Sequence, residues 1–83
     1  MSQIVLDIPD RSLSALKVPA EAAGDQLRLL AAMKLYELGE ISSGGAAELA
    51  GISRVGFLSR LGEFGIPTFS MTEEELREDL QNA

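Results

Sequence analysis

Few residues in this 83-residue chain could carry chemistry, because it has no histidine and no cysteine. Imidazole bases, thiol nucleophiles, disulfides and the usual zinc or haem ligands are therefore excluded together. Catalysis needs a nucleophile, a base or a metal set beside a pocket. No such set is indicated, so neither a catalytic residue nor a cofactor is assigned and an enzyme is not expected. Gly24, Gly44 and Gly45 lack the strand, lysine and hydroxyl that make a phosphate loop. The remaining chemistry is that of binding. Arg54, Val55, Ser59 and Arg60, with Glu63 beside them, have the spacing of the outward side of a helix that could lie in a DNA major groove. Phe69, Met71, Leu76 and Leu80 alternate with an acidic cluster, Glu73, Glu74, Glu75, Glu78 and Asp79, in a pattern suited to a basic protein partner.

The elements that must position the first group lie at residues 42–65, SSGGAAELAGISRVGFLSRLGEFG. They read as a helix-turn-helix. Ala47 sits where two helices cross and a larger side chain would force them apart, while Gly51 can take the left-handed conformation of the turn. Ser42 and Ser53 cap the two helices. Ile52, Phe57, Leu58 and Leu61 supply the buried side, and Ile41 can staple against Ala46 at the entry. Gly65 ends the second helix, and Ile66 and Pro67 prevent its continuation.

Upstream, residues 3–8 alternate Ile4, Leu6, Ile8 against Gln3, Val5, Asp7, which predicts a short β-strand ended by Pro9. A lone strand needs a ladder partner, from a later segment or a second chain. Asp10 can cap a short helix through Leu16, with Leu13 and Leu16 on its inner side. Pro19 fits the first turn of another helix, which Gly24 and Asp25 could interrupt. Residues 27–38 predict the central helix, apolar on most of its circumference and stopped by Gly39. One of its faces is expected in the core and another in a subunit interface. Downstream, residues 70–83 form an acidic tail in which Thr72 and Glu75 make a capping box and Leu76 and Leu80 the apolar stripe.

The expected fold is thus one small domain, residues 1–83, mainly α with a short N-terminal β-strand, a helix-turn-helix in the C-terminal half and an acidic C-terminal tail. At this size a core of leucine, alanine and isoleucine is only marginally sufficient, which favours a homodimer or a larger symmetric oligomer. The longest apolar run, Leu29 to Met33, is too short to span a membrane and no signal peptide opens the chain, so a cytoplasmic location is expected. The net charge of −6 divides unevenly, with six basic against eight acidic residues up to Phe69 and one arginine against five acids from Ser70 onward. No basic stripe offers strong phosphate contacts, so any DNA binding is expected to be weak.

The segments IVLDIPDRSL, LRLLAAMKLYELGEIS, GGAAELAGISRVGFLSRLGEFGIP and TEEEL resemble, in order and spacing, a small prokaryotic family known as uncharacterised protein family one-seven-five. The resemblance covers most of the chain and is most specific at KLYELGEIS and from AAELAGIS to GIP. It implies a helix-turn-helix antitoxin that neutralises a PIN-domain ribonuclease toxin and represses its own operon; the charge split, separately, points to Glu74 and its neighbours in the tail as the surface for the protein partner. The chain departs from the family pattern where members commonly carry a lysine, at Gly45, and an aromatic followed by an acid, at Val55 and Gly56. Gly56 forgoes the capping-box acid and costs the helix roughly 1 kcal/mol in propensity.

Three functions are open: the antitoxin-like adaptor that the resemblance implies and that also touches DNA, a protein-interaction module that has lost DNA affinity, and a ribbon-helix-helix repressor. The first two differ at Arg54 and Arg60, which are outward and free in one case and neutralised by Glu48 or Glu63 in the other. The third would place Gln3, Val5 and Asp7 in the groove, side chains poorly suited to phosphate.

Overall fold

In the computed structural model, the described residues are 2–68, and they form four helices: α1 (Asp10–Ala15), α2 (Ala20–Glu37), α3 (Ser43–Ala50) and α4 (Arg54–Glu63). No strand occurs among them. The strand expected at residues 3–8 is therefore corrected: this segment is irregular and exposed as far as Asp7, and none of its backbone groups bonds to another backbone group among the described residues. The alternation is there, but a strand exists only with a ladder partner, and helices offer none. The acidic tail, with Phe69, Met71, Glu74, Leu76 and Leu80, lies outside the described residues.

Pro9, not Asp10, is the N-cap of α1, with its carbonyl accepting from Ser12 and Leu13 at 2.9 and 3.1 Å. Leu13 and Leu16 are half-buried, as an inner side requires. Lys17, at φ 58°, then reverses the chain. α2 begins after Pro19 and runs through Gly24 and Asp25 without a break, so the central helix is 18 residues rather than the expected 27–38. One mid-helix glycine costs only about 1 kcal/mol, which packing along the rest of the helix outweighs.

The core side of α2 is Leu29, Ala32, Met33 and Tyr36, at the i, i+3, i+4, i+7 spacing of a single stripe. The face expected in a subunit interface is not covered by the chain's own helices. On the far side Ala31 and Leu38 are exposed, Leu27 is half-buried, and Lys34 is exposed and paired with Glu37 at 2.8 Å. α3 packs between α2 and α4, and its inner residues Ala46, Ala47 and Ala50 are small enough for close approach. Phe57 and Leu61 of α4 are fully buried, and the Phe57 ring meets Tyr36 edge-on at 5.9 Å. That contact joins the last element to the first large one. Leu30, Ile41, Leu58 and Ile66 close the margins of this cluster.

Candidate functional site

The local chemistry of residues 42–65 determines how α4 is presented. Ser42 Oγ accepts from the Gly45 amide and Ser53 Oγ from the Gly56 amide, each at 3.0 Å, so both helices begin on a serine cap. Between them Gly51 is left-handed at φ 75°, and the Ile52 amide reaches back to the Ala47 carbonyl at 3.1 Å. This is the hydrogen-bond pattern of a Schellman motif. It repeats where the Ile66 amide donates to the Leu61 carbonyl at 2.9 Å beyond α4. α4 is thereby held at both ends with its Phe57 and Leu61 side turned into the core.

At about 100° per residue, Val55, Ser59, Gly62 and Glu63 share one sector of α4 opposite Phe57 and Leu61. All four are exposed. Arg54 and Arg60 fall on the two flanks of that sector and are half-buried. Arg54 Nε donates to Ser43 Oγ at 3.1 Å, and Ser43 is itself buried in α3. Arg60 Nη1 pairs with Glu63 Oε2 at 3.0 Å and its guanidinium lies 5.9 Å from the centre of the Phe64 ring. The structure thus gathers the four expected DNA-contacting residues on one helix, but the most outward of them, Val55 and Ser59, are uncharged.

A further arginine escaped the sequence reasoning. Arg28 Nε of α2 donates to the Leu49 carbonyl at 2.8 Å, placing a cation at the C-terminal end of α3. Its Nη1 lies 4.0 Å from Asp25. The only local signal was a single arginine within the apolar run of the central helix. Arg28 also lines an open groove of about 370 Å³ between α2 and the α3–α4 turn, together with Val18, Gln26, Ile52 and Arg60. Among the described residues no group of three acidic, histidine or cysteine side chains could hold a metal, and no helix is long and apolar enough to cross a membrane.

Over residues 1–83 the sequence matches the Uncharacterised protein family (UPF0175). Two similar curated proteins, both from Aeropyrum pernix, carry the name UPF0175 protein. One is 41% identical over 81 residues, covering 98% of this chain and 85% of its own length. The other is 40% identical over 67 residues, covering 77% of this chain and 85% of its own length. No solved structure matches.

Proposed function

The chain belongs to the Uncharacterised protein family (UPF0175), and on that premise we propose that it is an antitoxin-like adaptor. It acts as a homo-oligomer whose main partner is a protein, a PIN-domain ribonuclease. One observation carries the preference for a protein partner. The outward sector of α4 presents Val55, Ser59, Gly62 and Glu63, with no cation, while Arg60 is paired with Glu63 and Arg54 donates to Ser43. A surface of this composition has little to offer phosphate, and an exposed valine beside small residues suits a protein contact. The acidic tail, with Glu74 among its five acids and Phe69, Met71, Leu76 and Leu80 as apolar anchors, is assigned to the ribonuclease, whose RNA groove must be basic.

A second reading, weak operator binding by the helix-turn-helix, is favoured by the doubly capped α4 with Ser59 exposed and an arginine on each flank. The two readings separate by experiment. Calorimetry of the full chain against the ribonuclease encoded beside it should show binding and loss of RNA cleavage. A chain stopped after Phe69 should bind at least about tenfold more weakly, since the apolar anchors and acids of the tail must more than offset its ordering cost of about 2–5 kcal/mol. Leu76→Ala with Leu80→Ala should speed dissociation, and neutralising the glutamates should slow association. Undiminished cleavage with no measurable binding would overturn the adaptor reading.

A further inference from the structure

Residues 2–8 are a problem the described part of the chain does not solve. Ile4, Val5 and Leu6 are 80%, 91% and 60% exposed in succession, and the backbone groups of this segment make no backbone hydrogen bond among the described residues. Only Ile8, where the segment joins α1, is half-buried. Residues 9–68 are helices and their connections, with no strand that could take up these groups. A second copy of the chain does offer a suitable partner segment, because residues 3–8 are complementary to themselves. Ile4, Leu6 and Ile8 share one side of a pleat, and Gln3, Val5 and Asp7 the other.

We propose that residues 3–8 pair antiparallel with the same residues of a second copy, across a two-fold axis at Leu6. The proposal rests on the homo-oligomer of the preceding reading and names its interface. The register follows from the side chains. Directly opposed residues of an antiparallel pair lie on the same face, so an axis between two residues would set Ile4 opposite Asp7 and mix the faces. An axis at Asp7 would oppose two carboxylates. An axis at Val5 would set Ile8 against Ser2 and leave the apolar row short. At Leu6 the pairs are Ile4 with Ile8, Leu6 with Leu6 and Ile8 with Ile4, while Asp7 faces Val5. All six aliphatic side chains then form one continuous row, and the pairing stops at Pro9, which has no amide hydrogen to donate.

The absence of cysteine from the chain makes the register directly testable. In the full chain, Leu6→Cys should place two thiols about 4.5–5.5 Å apart at the Cα atoms, within disulfide reach. Val5→Cys and Asp7→Cys would each be two residues out of register with their own copies. In a glutathione buffer Leu6→Cys should give roughly tenfold more covalent dimer than either. Leu6→Asp, a change at an exposed position, should leave the helical circular dichroism unchanged and weaken self-association about a hundredfold in light scattering and sedimentation. If the parent is a monomer at tens of micromolar, where about 6–7 kcal/mol of association free energy should assemble it, the oligomer reading falls and this one with it. If the parent is a dimer that Leu6→Asp leaves unchanged, the oligomer stands and the N-terminal pairing is wrong. If Val5→Cys crosslinks best, the axis is not at Leu6.

Discussion

Gly51 shows how much a single position can combine. Its φ of 75° is one that side-chain-bearing residues adopt at a cost of about 1–2 kcal/mol. A Cβ added there would also lie 3.3 Å from Arg28 Nη2, on an arginine already held by its bond to the Leu49 carbonyl. Gly51→Ala is expected to lower stability in urea titration by about 2 kcal/mol. Arg28→Ala alone should cost about 1 kcal/mol, because its bond is half exposed to water. In the double variant the crowding disappears while the backbone strain remains, so the two losses should add to less than their sum by about 0.5 kcal/mol. The left-handed glycine was legible in the sequence because a turn is a local device. The arginine was not, since the carbonyl it reaches lies 21 residues away.

For the element α4, the tie to the rest of the fold is Phe57, fully buried and edge-on to Tyr36. Phe57→Ala should cost about 3–5 kcal/mol, a large share of the roughly 4–12 kcal/mol available to a domain of this size. Loss of the cooperative thermal transition in circular dichroism is the expected outcome. The opposite change should come from Gly56→Glu. A glutamate there can accept a hydrogen bond from the Ser53 amide and removes a glycine from the first turn of α4, together about 1 kcal/mol. Its Cβ would sit 3.1 Å from Ser53 Oγ, so that hydroxyl must move by a few tenths of an ångström, which the serine can do while still capping. A rise in Tm of about 4–8 °C would confirm it. The caps, the turn and the burial of Phe57 and Leu61 were readable from residue type and spacing, whereas Ile52, expected on the same buried side, is exposed because it follows the turn outside α4. The bonding partner of Arg54 was not readable: spacing puts both arginines on the flanks of α4, but Ser43 belongs to a neighbouring helix.

At the scale of the whole molecule, charge limits what the protein can hold. Arg54 and Arg60 are the expected phosphate contacts, so a dimer offers four such cations, and the slope of log K against log salt should not exceed about 4 in magnitude. Fluorescence anisotropy with a labelled duplex from about 50 to 200 mM salt measures it. Arg54→Glu with Arg60→Glu should abolish what binding there is. A steeper slope, or DNA affinity that survives the double reversal, would place the contact surface elsewhere than α4. The same whole-molecule view explains why residues 3–8 form no strand among the described residues of a single chain. Their alternation is a strand's, but within residues 2–68 the chain closes its core entirely with helices and leaves this segment without a partner.

The sequence by itself determined whatever depends on neighbours a few residues apart: the serine caps at Ser42 and Ser53, the helix stops at Gly39, Gly51 and Gly65, and the absence of histidine and cysteine chemistry. Tertiary structure decided what depends on distant partners. α2 runs unbroken through Gly24 because packing of its core stripe outweighs one residue's propensity. Its apolar far side stays exposed because α3 and α4 cover only one stripe. Arg54 on the flank of α4 is tied to Ser43 because the fold brings α3 beside it. Propensity and capping act over one helical turn, whereas burial and charge pairing act across whatever the fold brings together, and only the folded chain says what that is.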